Sequence, residues 1–79
     1  MSHTPHELHE EFPEKADLIH QLKTSNGHFS KLADAYHEVN RAVHRMESGV
    51  EAVADAVLEA AKKERLAIKD QISGLLESA

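Results

Sequence analysis

The sequence predicts an all-α fold: an antiparallel, coiled-coil-like two-helix hairpin with a short leading N-terminal helix, expected to pair into a helical bundle. Three observations carry this. Phe29, Leu32, Tyr36, Val39, Val43 and Met46 step by three and four residues, and so do Ala54, Leu58, Ala61, Arg65, Ile68, Ile72 and Leu75, the spacing of a helix seam. Ser48-Gly49 separates the two runs, and Gly is the usual left-handed residue past a helix C-terminus. Phe12-Pro13-Glu14 reads as an earlier helix entry, because Pro in a first turn forfeits no hydrogen bond.

Taken in order, residues 1–11 are rich in His and Glu and are expected to form a flexible segment outside a single domain of residues 12–79. A first helix is predicted over about 13–23, with Glu14 and Asp17 at the positive end of its dipole and Leu18, Ile19 and Leu22 as its apolar face. Thr24-Ser25-Asn26-Gly27 should break it, with Ser25 or Asn26 capping a second helix over about 28–47. One continuous helix from Pro13 to Glu47 is the alternative, since Leu18, Leu22 and Ser25 extend the Phe29 register backward. The break is preferred because an interior Gly costs about 1 kcal/mol. A third helix is predicted over about 51–76.

Val50, Val53, Val57 and Ala60 form a second stripe beside the seam, with Ala35 and Ala42 on the same flank of the pair. The opposite flank, with Asn40, Glu47, Asp55, Lys62 and Lys69, is expected to be wet. Two helices bury too little surface to be robust alone. The apolar stripe is therefore expected to pair with a second hairpin; the alternatives are ordinary alanine-rich surface, or cover by the N-terminal helix folding back. Arg65 falls opposite Tyr36 in the seam, where it can set register; the alternative is that it snorkels to water and Leu66 takes the core place.

The chain has 79 residues, enough for one domain, and a formal net charge of -5. That balance argues against a nucleic-acid footprint, which needs clustered Lys and Arg. The richest basic stretch, Lys62-Lys63-Glu64-Arg65, is short and interrupted. No cysteine is present, so disulfides and thiolate metal sites are excluded and a reducing cytoplasm is the expected compartment. No secretory signal or run of membrane-spanning length is apparent, so no membrane association is expected.

His3, His6 and His9 recur every three residues beside Glu7, Glu10 and Glu11, a pattern that can bring imidazoles to one helix side for Zn, Ni or Cu. The segment has little to hold ligands in fixed geometry, so no metal is assigned. His37 and His44 read as outer-face residues. No nucleophile elbow, phosphate loop, dinucleotide fingerprint or metalloprotease motif occurs, so no catalysis, cofactor or small-molecule substrate is expected.

Glu11-Phe12-Pro13-Glu14, Ile19-x-x-Leu22-Lys23, Asn26-x-x-Phe29-x-x-Leu32, Tyr36-His37-Glu38, Arg45-x-Glu47 and, above all, Lys62-Lys63-x-Arg65-Leu66-x-Ile68-Lys69-Asp70-x-Ile72 resemble the YdcH-like family of small bacterial proteins, a domain of unknown function. The resemblance covers about residues 9–76. It departs at Gly27, where members often carry Pro, and at Ala61, where Leu is common. It implies a helical hairpin with a short leading helix in a bacterial cytoplasm, and it implies no catalytic residue or cofactor.

The functional expectation is a non-catalytic helical interaction or adaptor module that binds itself as a dimer, or an unidentified protein. Its contact would lie at Val50, Val53, Val57, Ala60, Ala35 and Ala42, with Lys62, Lys63, Arg65 and Asp70 as recognition groups. Metal binding or buffering by the N-terminal histidines is one alternative. A nucleic-acid accessory role for the Lys62–Lys69 stretch is another.

Overall fold

The structure, a computed structural model, describes residues 5–49 and 52–79. Helix α1 is a single turn, Leu8–Glu11, followed by a 3-10 turn at Pro13–Lys15. Then come α2 (Ala16–Ser25), α3 (Gly27–Glu47) and α4 (Asp55–Ser78), with no strand among the described residues. The two long helices pack against each other as the seam predicts. At about 1.5 Å per residue α4 is about 36 Å long, which sets the 38 Å long axis of the molecule.

The α2–α3 break occurs where the local chemistry places it. The Thr24 and Ser25 hydroxyls donate to the Gln21 carbonyl at 2.9 and 2.8 Å, Asn26 leaves helical geometry, and its Oδ1 accepts the Phe29 N–H at 3.1 Å. Asn26 is thus the N-cap of α3, and the single continuous helix is excluded. Past Glu47 the chain turns at Gly49, whose φ of +82° suits a residue without a Cβ. Helix α4 begins at Asp55, later than the predicted residue 51. Ala54 is extended and its carbonyl receives the Val57 and Leu58 amides. Asp55 puts a carboxylate in the first turn, whereas the Val-rich stretch before it offers no capping side chain.

One core cluster joins all the helices: Leu8, Ile19, Phe29, Ala33, Tyr36, Ile68, Ile72 and Leu76, with Phe12, Leu18, Leu22, Leu32, Ala35, Val39 and Leu75 packed on it. Two expectations are corrected here. Residues 5–11 do not lie outside the packed domain, because Leu8 is 2 % exposed within that cluster. The flank expected to be wet is also not so at its centre: Asn40 is 1 % exposed, and Lys69 pairs with Glu11. The physical reason is shared. The N-terminal segment lies over that flank, so the buried face of α3 widens from the seam to Ala33 and Asn40.

Candidate functional site

The covered flank is fastened by residues 5–12, an N-terminal strap. His6 has a left-handed φ of +64°, a conformation that non-glycine residues adopt at some cost and His more readily than most. The Pro5 and His6 carbonyls both meet α3. The Asn40 Nδ2 donates to the Pro5 oxygen at 2.8 Å, and the Tyr36 hydroxyl donates to the His6 oxygen at 2.6 Å. Arg65 of α4 donates from Nη1 to the Asn40 Oδ1 at 3.0 Å. A hydrogen-bonded chain thus runs from strap through α3 to α4, and no buried side-chain nitrogen or oxygen among the described residues lacks a partner. That satisfaction is what lets Asn40 be buried.

Charges complete the fastening. Lys69 Nζ lies 3.1 Å from Glu11 Oε1 and 5.9 Å from the centre of the Phe12 ring. His37 Nδ1 lies 2.9 Å from Glu7 Oε2, and His6 Nδ1 lies 3.4 Å from Glu11 Oε1. Burial acts to raise the Glu11 carboxyl, but the hydrogen bond and charge of Lys69, with those of His6, outweigh it and hold the group below its usual range. Burial, reinforced by Glu11 and Glu7 against the opposing charge of Arg65, pushes the Tyr36 phenol up to about 12. An open groove of about 460 Å³ lies beside the strap, lined by Glu7, Asp34, His37, Glu38 and Arg41.

The other flank has no such cover. Val57 is 49 % exposed and Ala60 is exposed, while Val53, Ala35 and Ala42 are half-buried and Ala35 also touches the core. Val50 lies outside the described residues. Of the recognition residues, Lys63 and Asp70 are exposed. Lys62 lies 3.3 Å from Glu47 and 4.0 Å from Glu59. Arg65 is taken up by Asn40 and does not project outward as a free recognition group. Leu66, the alternative core residue to Arg65, does not take the core place: it is 58 % exposed between Lys62 and Asp70, each four residues away. The signal for its exposure was its position one turn from both charged residues and off the seam.

His3 lies outside the described residues, whereas His6 and His9 are exposed. Among the described residues no group of three or more His, Cys, Asp or Glu side chains is arranged to hold a metal ion. Nor, among them, is any helix long and apolar enough to cross a membrane.

Comparison with known proteins matches residues 29–76 to the family described as Protein of unknown function (DUF465). The chain belongs to this family. The matched region spans most of α3 and nearly all of α4, and so contains both Asn40 and Arg65 of this chain. Two relatives, each called "Uncharacterized protein YdcH", come from Escherichia coli (strain K12) and Shigella flexneri. Each is 32 % identical over 66 residues, covering 84 % of this chain and 89 % of the relative. The YdcH likeness thus extends beyond the hairpin, over more of the chain than the family model covers. No solved structure gives a significant match.

Proposed function

We propose that this DUF465 protein is a non-catalytic helical interaction module whose bare flank, Val53, Val57 and Ala60 on one side and Ala35 and Ala42 on the other, pairs with a second copy of the chain. The observation that carries the reading is the contrast at Val57: half-exposed on a flank of small side chains that permit close helix approach, while the opposite flank is covered from within. Two such flanks packed face to face would form a four-helix bundle around a valine and alanine core. Lys63, Leu66 and Asp70 form a separate patch. Leu66 is nine residues from Val57, a turn of about 900° that places it on the opposite side of α4. This patch suits a protein partner better than a nucleic acid, because Lys62 and Lys69 already face Glu47 and Glu11. The cysteine-free composition suits the reducing cytoplasm, the compartment this reading assigns.

Light scattering tests the pairing. The wild-type chain should have twice the 8.8 kDa chain mass, and Val57→Glu should reduce it to one chain with its helical circular dichroism retained. A monomeric wild type, or a dimer unaffected by Val57→Glu, overturns the proposal.

A further inference from the structure

The break between α2 and α3 holds the pair Asn26-Gly27, a chemically labile carboxamide followed by the residue that shields its own backbone nitrogen least. An Asn side chain can be attacked by the nitrogen of the next peptide unit, closing a five-membered ring, and a Cβ on the following residue is the main obstacle. Here that obstacle is missing: Gly27 is exposed, and no heavy atom lies within 4 Å of the place a Cβ would occupy. As the first residue of α3, Gly27 also has an N–H with no partner within the helix. We propose that Asn26 is a site of spontaneous deamidation, held unreactive in the folded chain by its own capping geometry and released when the α2–α3 break opens.

The chemistry needs only water. The Gly27 nitrogen, having lost its proton to solvent base, bonds to the Asn26 Cγ; the Cγ–Nδ2 bond breaks, and that nitrogen takes up a proton and leaves as ammonia. Water then opens the cyclic imide. Addition at Cγ gives an aspartate at position 26, and addition at the main-chain carbonyl gives isoaspartate, through which the backbone gains a methylene. The folded chain opposes the first step. With Asn26 ψ at 106°, the Gly27 nitrogen lies across the Cα–C bond from the Asn26 Cβ, so ring closure requires the backbone to swing out of its extended geometry. Three hydrogen bonds resist that swing: Asn26 Oδ1 accepts the Phe29 N–H at 3.1 Å, its carbonyl accepts the Ser30 N–H at 3.0 Å, and its own N–H donates to the Leu22 carbonyl at 2.8 Å. The products differ in effect. A carboxylate at position 26 can still accept from Phe29 and suits the positive end of the α3 dipole. Isoaspartate loses that geometry, and its longer backbone shifts α2, with the buried Ile19, against α3.

Tryptic peptides read the site. Cleavage at Lys23 and Lys31 isolates residues 24–31 with Asn26, and cleavage at Lys31 and Arg41 isolates residues 32–41 with Asn40, the other asparagine of the chain. Asn40 is 1 % exposed, both ends of its amide are bonded, and Arg41 follows it, so its peptide is the internal reference. The full chain is incubated in mildly alkaline buffer, folded or unfolded in guanidinium, and followed by mass spectrometry. Aspartate and isoaspartate at position 26 should accumulate about five-fold or more slowly in the folded chain than in the unfolded one, the factor expected when a single N-cap must open first. In the folded chain the Asn40 peptide should stay unmodified. Gly27→Ala, which has room for its methyl group, should suppress the reaction in the unfolded chain as well. Equal rates in the folded and unfolded chains, accumulation that survives Gly27→Ala, or an unfolded chain that stays unmodified at Asn26 overturns the proposal.

Discussion

The two flanks of the α3–α4 pair start from the same seam and end differently. One is closed by the chain's own N-terminus through Leu8, two backbone carbonyls and a set of charges. The other carries Val57 and Ala60 in the open. A two-helix contact leaves two grooves along its edges. This chain has enough leading sequence to close one of them. The difference separates residues that hold the fold from residues available to another surface, although both sets lie on the same helices.

The largest effect should come from placing a carboxylate on each side of that division. Ile72 is fully buried, and Ile72→Asp would bury an unpaired charge at a cost of several kcal/mol, comparable with the whole stability of a small domain. The helical circular dichroism signal should be lost at ambient temperature, whereas Val57→Asp should keep it. If both variants stay helical, the division between flanks is misplaced. Less severe is a pair of truncations: Leu8→Ala should cost about 2 to 3 kcal/mol in urea unfolding, and Leu66→Ala no more than about 0.5 kcal/mol. Equal costs would mean that the strap is no more part of the core than an exposed leucine.

Smaller still is Tyr36→Phe, which removes the hydroxyl from the His6 carbonyl and should cost about 1 to 2 kcal/mol. The phenol's upward shift sharpens this prediction. Because its folded value of about 12 exceeds the ordinary 10, its contribution is complete below pH 10 and is lost as pH rises from about 10 to 12. The difference in stability between wild type and Tyr36→Phe should therefore shrink over that interval; a constant difference would place the hydroxyl in water. The smallest effects are gains. A Cβ at Gly74 meets nothing within 4 Å, so Gly74→Ala in the exposed face of α4 should stabilise by about 0.5 to 1 kcal/mol, a few degrees in thermal midpoint. Gly27 is the first residue of α3 after an extended Asn26, the backbone that a residue before proline prefers, so Gly27→Pro should also raise the midpoint.

The hairpin and its leading break were legible because they depend on features that side-chain identity encodes: a three-four spacing, a glycine turn, and an Asn that can cap. The strap was not legible. Its one core side chain, Leu8, sits among charged residues and histidines with no periodicity, and its polar anchors are the Pro5 and His6 carbonyls, which any residue possesses. Asn40 was assigned to a wet flank because a lone Asn normally seeks water. It is buried because Pro5 and Arg65 satisfy both ends of its amide, a pairing between positions 35 and 25 residues away that no local pattern carries. The same distance hid the role of Arg65. On the bare flank, spacing marked Val57 and Ala60 correctly as lying outside the seam. On the opposite side of α4, spacing left open whether Arg65 or Leu66 faces the core, and the Asn40 partner that draws Arg65 inward leaves Leu66 exposed.

The account depends most on the strap as a component of the fold. Deleting residues 1–11 and following urea unfolding by circular dichroism measures that directly. Loss of Leu8 burial and of two hydrogen bonds to α3 should lower stability by about 3 kcal/mol or more and bring the midpoint down accordingly. A truncated chain that unfolds at the same urea concentration as the full one would show that α3 and α4 stand without their N-terminal cover, and would contradict the account.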